Sequence, residues 1–458
     1  MRNKRPTRFN TFQAQVRKQP SSFRPQKRPS SSGGGGGAMT APWKRASLHT
    51  LKIGPPPRDG IYFGAYEWTA GDIASVEAAA QISCSHYHSG YGNWALHYSS
   101  GHPHLNLAAA NAAWDAGKAI VVQAYNLYAG TDTEHPAGFT VDKLLAGDYD
   151  SNLATFAAEL RAFGKPCWFQ CGREPNGVGQ DYMGGFGTDG TQSLAAAIAA
   201  NAAYNQFSPP AIPSGAPSTL YDGCSGATMP DGIGRIKAGQ RYIHDFMVRR
   251  EGLQFLTFDS QGFVVRYYKD GTDNQDVYDS NDYVGNEAYA LTLLQRCSDP
   301  AYWYPGDAYC DWVSLTWYYL DYYDAGWSWL TGSDILIPNT EWVSSLSNMM
   351  TKVAAVTSKP VMLAEFGMPD GLDSDTAYGA TKITSGFTTV LTTWPQIKAV
   401  SLWSNHESWL QVDIFPYDCL LRPNTTQATA LQAVIAAHPT KFHSYVTLSD
   451  GLPHPRVL

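Results

Sequence analysis

Charge is scarce in this chain of 458 residues: Asp, Glu, Lys and Arg make up only 16% of it. Cysteine is scarcer, at seven, which is too few for a disulfide scaffold, and an odd number cannot pair completely within one chain. No run of 18 or more apolar residues occurs, so no helical membrane span is expected. Acidic residues are missing altogether from positions 1–50, which hold eleven Lys and Arg. The remaining 408 positions carry 22 basic and 40 acidic groups, a net charge of −18 against −7 for the whole chain. An acidic body lacks the cations that a phosphate backbone demands, so no specific nucleic-acid recognition by this body is expected. What is plentiful is apolar residues (43%) and aromatics (13%), enough for a large core and for surfaces that handle neutral polar ligands.

Four segments are expected: a basic low-complexity arm with a penta-glycine tether (1–37), a linker (38–57), the main domain (58–437) and a C-terminal extension (438–458). The arm, Met1 to Ser32 followed by Gly33 to Gly37, has no apolar stretch after its positive charges and so does not read as a secretory signal. It reads either as a solvated extension or as a peptide that docks on a larger assembly, a virion or a cell surface.

From Gly60 onward, short β-rich runs alternate with helical segments. The strand candidates are Ile61–Trp68, Ala80–Tyr87, Lys118–Tyr128, Lys165–Gly177, Leu253–Ser260, Asp311–Tyr319, Lys359–Gly367 and Ile397–Ser404. The segment 151–164 has apolar residues at helical spacing and Gly164 as its stop signal. Eight strands with mostly helical connections predict an α/β protein, a (β/α)8 TIM barrel, with a doubly wound open sheet as the competing topology.

In such a barrel, chemistry sits at the C-terminal ends of the strands. Glu174 closes the fourth candidate (Cys171-Gly-Arg-Glu-Pro-Asn-Gly177) and Glu365 closes the seventh (Val361-Met-Leu-Ala-Glu-Phe-Gly367). Each could simply cap a strand or pair with a cation, but two acids facing one another across the mouth could also flank a glycosidic bond. Other features carry less. The Gly185-Phe-Gly187-Thr-Asp-Gly190 pattern lacks a strand before it and reads as a loop. The spaced aspartates from Asp270 to Asp282 lack the EF-hand order of ligands. His86 and His88 lack a third zinc ligand, so substrate contact or a loop role is expected of them; no metal and no cofactor is. Cys167 and Cys171 share one strand face and are expected to be buried, while Cys297 and Cys310 bracket a loop and could pair in an oxidising medium. Aromatics from Trp303 to Trp329, including Tyr304, Tyr309 and Trp317, are candidates for sugar subsites.

Several of these segments, in order, resemble the retaining glycoside hydrolases built on (β/α)8 barrels, and among them glycoside hydrolase family 26, mainly β-mannanases. The resemblance is carried by Phe63-Gly64-Ala65-Tyr66, by ELRAFGKPCWFQCGREPNG, by Tyr304–Tyr319, by KPVMLAEFG and by Pro395–Trp403. It implies an endo-acting enzyme that cleaves β-linked polysaccharide, with Glu174 as acid/base and Glu365 as nucleophile. It further implies that Asn176 follows the acid/base, that Tyr318 hydrogen-bonds the nucleophile and that Trp403 forms the floor under the reacting sugar. Arg173 stands where that family usually has His, and together with His88 and Trp317 it completes the expected substrate-binding set. The same barrel could instead bind polysaccharide without cutting it. An extracellular or virion-associated location, as a depolymerase for example, fits a polysaccharide substrate and the basic arm.

Overall fold

The computed structural model describes residues 47–57, 59–67, 72–89, 96–99, 102–124, 141–171, 232–260, 263–264, 299–318, 339–367, 376–403, 421 and 423–455. Eight strands of the main body follow one another as β1 (Ile61–Glu67), β2 (His86–Ser89), β3 (Ala119–Ala124), β4 (Cys167–Cys171), β5 (Leu256–Asp259), β6 (Val313–Tyr318), β7 (Val361–Gly367) and β8 (Ile397–Trp403). All are parallel, in the order β5-β4-β3-β2-β1-β8-β7-β6. The two edge strands meet through a parallel bridge between Asp259 and Trp312, with Trp312 N–H donating to Phe258 O at 3.1 Å. The sheet is therefore a nearly closed (β/α)8 barrel, and the open-sheet alternative is excluded.

Helices α1 (Asp72–Ala80), α2 (Leu107–Asp115), α3 (Asp150–Phe163), α4 (Gly232–His244), α5 (Asn339–Val356), α6 (Thr376–Thr392) and α7 (Thr426–Ala437) alternate with these strands. Their ends are chemically marked. Asn106 and Thr425 accept hydrogen bonds from the backbone of Ala109 and Ala428, satisfying N–H groups that the first helical turn leaves free. Gly164 ends α3 in the left-handed conformation (φ 60°) and returns its N–H to Leu160 O, as its place in the sequence suggested. The second strand begins later than expected. The helix-favouring run Glu77-Ala-Ala-Ala80 keeps α1 intact through Ala80, and the chain turns at Gln81 (φ 58°) before β2 starts at His86.

The base of the barrel is plugged by rings. Tyr62, Trp168 and Trp312 are fully buried, with centroids 5.5–6.3 Å apart. Two flanking segments cover this plug. Tyr62 Oη donates to Gly54 O (3.0 Å) and accepts from Thr447 N–H (2.9 Å), and Ile53 N–H donates to Thr257 Oγ1 at 2.7 Å. Residues 51–54 and 442–448 thus pack on the body; Phe442–His443 even extends the sheet beside β1. They lie in the stretches set apart in the sequence as linker and extension, and the compact unit runs from Arg45 to Leu458.

Outside the barrel, Phe169, Phe258, Leu315, Phe366 and Phe387 form a continuous apolar layer between strands and helices. Cys167 and Cys171 alternate with Trp168 and Gln170, so they share the outer face with Phe169; both are buried thiols. Cys310 is also a buried free thiol, and its proposed partner Cys297 lies outside the described residues. Burial raises all three well above an ordinary thiol, which makes them unreactive packing groups. Among the described residues no helix is long and apolar enough to cross a membrane.

Candidate active site

The inner face of this barrel is unusually polar. Alternation turns Tyr62, Gly64 and Tyr66 of β1 inward, with His86 and His88 of β2, Gln123 of β3, Trp168 and Gln170 of β4, Asp259 of β5, Ser314 of β6 and Ser401 and Trp403 of β8. Gly64 is buried, Trp403 is 5% exposed, and the others are at or below 3%. Gln123 and Gln170 stand in the otherwise apolar runs AIVVQA and CWFQC, and a buried polar group is retained only when it is bonded or useful. That signal was legible, yet the sequence reading took up only the histidines.

His86 occupies the middle of the interior. Its Nδ1 is 2.9 Å from Ser85 Oγ, its Nε2 is 2.9 Å from Ser401 Oγ, and its ring lies 5.2 Å from Trp168. His88 sits one layer nearer the mouth, on a strand and not in a loop, 4.7 Å from the Tyr66 ring, with Nδ1 2.9 Å from Ala364 O. Desolvation lowers both imidazoles to about 3, so both stay neutral at ordinary pH. Asp259 is wholly buried, its carboxyl bonded to Ser314 Oγ with Oδ1 unpartnered, and burial pushes its pKa well above the carboxylate range.

The sign of these shifts fixes a pH profile for stability. Between about pH 6.5 and 3 the unfolded chain protonates both histidines while the fold does not, so stability falls as pH falls, on the order of 1.4 kcal/mol per unit for each ring. Asp259 acts in the opposite sense: its proton is held more tightly in the fold, and the stability this contributes at low pH is lost as pH rises. Asp259→Asn is therefore expected to gain on the parent in urea midpoint progressively from pH 5 to pH 8. A gap independent of pH would mean that Asp259 is ionised in the fold.

At the mouth, Glu365 is 3% exposed near the end of β7. Met362, against Ser401 Oγ at 4.0 Å, faces inward, and Phe366, stacked on Trp317, faces outward. Regular alternation would put residues 362 and 366 on the same face. The pairing register shifts between Leu363 and Glu365 against β6, and between Leu363 and Phe366 against β8. This bulge changes which face the residues after Leu363 present, a re-aiming that bulges perform next to functional sites. Trp403 ends β8 with its ring 4.3 Å from Tyr66, whose Oη is 3.4 Å from Gln123 Oε1. The structure thus groups Tyr66, His88 and Trp403 by ring contact, and ties His88 to the strand that carries Glu365.

The other expected residues divide. Tyr318 is the last residue of β6, beside Gly367 in register. Glu174, Arg173 and Asn176 follow β4 and lie outside the described residues. Trp317 is completely buried on the outer face, stacked on Phe366 with Nε1 3.4 Å from Ser345 Oγ of α5, so it belongs to the strand–helix layer and not to the mouth. Tyr304 and Tyr309 correct the aromatic-subsite expectation. They precede β6, which places them at the opposite end of the barrel, where Tyr304 bonds Asp307 and Thr357 and Tyr309 packs on Arg241 and His244. Among the described residues no group of three or more His, Cys, Asp or Glu is placed to hold a metal.

An eight-stranded parallel barrel with a buried acid at the mouth belongs to the large class of (β/α)8 proteins that carry their chemistry at the strand ends. Among solved structures the chain is similar to GH26C from a Muricauda species, with 12% identity, 87% of this chain and 90% of that chain covered, and a TM-score of 0.50. It also matches the catalytic domain of a GH26 endo-β-1,4-mannanase from a Bacillus species, with 13% identity, 82% and 86% covered, and a TM-score of 0.46. The likeness to the Muricauda protein establishes the fold. No protein-family model and no curated protein matches the sequence.

Proposed function

We propose that the chain is a retaining glycoside hydrolase of the family 26 type, endo-acting on β-linked polysaccharide such as mannan, β-glucan or a surface exopolysaccharide. The observation that carries this reading is Glu365: a buried carboxylate near the C-terminal end of β7, on a bulge that re-aims that strand end. In this mechanism Glu365 attacks the anomeric carbon while Glu174, following β4, protonates the leaving oxygen. Glu174 then takes a proton from the water that releases the glycosyl-enzyme. Between β4 and β7 lie only β5 and β6 on one side, so side chains from the two strand ends can flank one bond. Trp403, propped by Tyr66, supplies an apolar floor that suits the C–H face of a pyranose, and the role of steadying the nucleophile falls to Tyr318, the last residue of β6.

A second reading, polysaccharide binding without cleavage, is favoured by Arg173 in place of the family histidine, since a guanidinium beside a general acid lowers its pKa. One experiment separates the two: reducing-sugar release from mannan, galactomannan, mixed-linkage glucan, xylan and a bacterial surface glycan, with pull-down on the same panel. Release from at least one glycan is expected. Retention on a glycan with no release from any would make the barrel a recognition module. Residues 1–37 fit this picture as an arm that docks the enzyme on a larger assembly, a virion or a cell surface.

A further inference from the structure

Strands β2 and β7 are not neighbours; β1 and β8 stand between them. Yet Nδ1 of His88 on β2 lies 2.9 Å from the carbonyl oxygen of Ala364 on β7. Ala364 immediately precedes Glu365, and the bulge leaves it without a register partner on either adjacent strand. A carbonyl turned out of a ladder and buried costs free energy unless something donates to it. A carbonyl only accepts, so the His88 hydrogen must be on Nδ1, and this contact fixes the tautomer. The ring cannot swing away easily, because it is fully buried and packed against Tyr66. The Nδ1 hydrogen is thereby committed to the bulge, at 2.9 Å from the Ala364 carbonyl oxygen.

We propose that His88 is a positioning residue for Glu365: by donating across the barrel to the Ala364 carbonyl, it holds the bulge that aims the Glu365 carboxylate. This rests on the reading of Glu365 as nucleophile, and it converts the expected substrate contact of His88 into an indirect role. Because burial keeps the imidazole neutral, the bond persists across the working pH range and gives no pH switch of its own.

Asparagine can place its amide N–H near the position of Nδ1, whereas glutamine reaches towards Nε2. His88→Gln and His88→Ala are expected to lower kcat by about 100-fold with KM changed only a few-fold, the size of effect that a misplacement of about 1 Å produces. His88→Asn is expected to restore kcat to within about tenfold of the parent. All three variants leave a smaller side chain, so urea midpoints measured alongside separate folding losses from positioning losses. Equal kcat losses for Asn and Gln, tracking the midpoints, would reduce His88 to core packing and overturn the proposal. A second readout needs no turnover: the side-chain carboxyl ¹³C resonance of Glu365, assigned by its disappearance in Glu365→Gln. Its titration should be displaced in His88→Gln and His88→Ala and parent-like in His88→Asn; a resonance unmoved in all three would overturn the proposal. If the parent cuts none of the glycans, the hydrolase reading fails while this resonance still decides the role of His88.

Discussion

Glu365→Gln is expected to lower kcat by roughly 10⁴-fold or more while leaving thermal stability unchanged or raised. The loss is that of removing the nucleophile from a set of groups that act together, where a single deletion costs nearly the whole of the chemical acceleration. The stability side follows from burial. At 3% exposure the Glu365 carboxylate has been taken out of water, and a neutral isostere of the same shape removes that desolvation cost. Activity and stability moving in opposite directions is the signature of a residue kept for function. Steady-state kinetics and a melting curve on the one variant test both halves. A stability loss of several kcal/mol with little change in rate would instead mark Glu365 as one partner of a structural ion pair.

The second large effect concerns the fold beneath the mouth. A Cβ added at Gly64 would lie 2.4 Å from both Cε1 and Nε2 of His86, far inside contact distance. The ring has nowhere to go, since Ser85 and Ser401 bind its two nitrogens and Trp168 closes its face. Gly64→Ala is therefore expected to destabilise by about 3 kcal/mol, the upper part of the range for overpacked cores. The double variant Gly64→Ala/His86→Ala should be less destabilised than the sum of the two single changes, because removing the ring makes room for the methyl group. Urea unfolding of the four proteins tests this, and strict additivity would show that the clash is relieved elsewhere.

That glycine lies in Phe63-Gly64-Ala65-Tyr66, one of the pieces that carried the family resemblance, and its neighbours explain the rest of the piece. Phe63 packs outward on Phe387 and Phe442, and Tyr66 props Trp403. Most strand positions were readable because their runs of β-branched and aromatic residues are bounded by helix-ending or turn-forming residues, as at Gly164 or Gly117; β2, His86-Tyr-His-Ser89, has no such run and was placed too early. The orientation of Glu365 was not readable. VMLAEFG looks like a regular strand, and strict alternation would put Glu365 with Leu363 on the helix side; the bulge that changes this is bonded to His88, 276 residues away. The error over Tyr304 and Tyr309 has a similar source. Aromatics on the two sides of a strand look alike in one dimension, although those before β6 lie at the end of the barrel away from the mouth; those from Tyr319 to Trp329 lie outside the described residues.

The polar interior was legible residue by residue but not as a whole. Gln123, Gln170 and Ser401 each interrupt an apolar run, whereas His86 and Asp259 stand among other polar residues, and only the closed sheet brings all five to one face. Such an interior costs stability wherever a polar group stays unpaired, which is why Ser85 and Ser401 bind the two nitrogens of His86.

The most direct test of the central claim is the anomeric configuration of the first product, followed by proton NMR in the opening minutes of hydrolysis of the glycan that the panel identifies. Two displacements through Glu365 predict that the β-configuration of the cleaved bond is retained in the newly formed reducing end. An α-configured first product, which signals a single displacement by water, would contradict Glu365 as nucleophile.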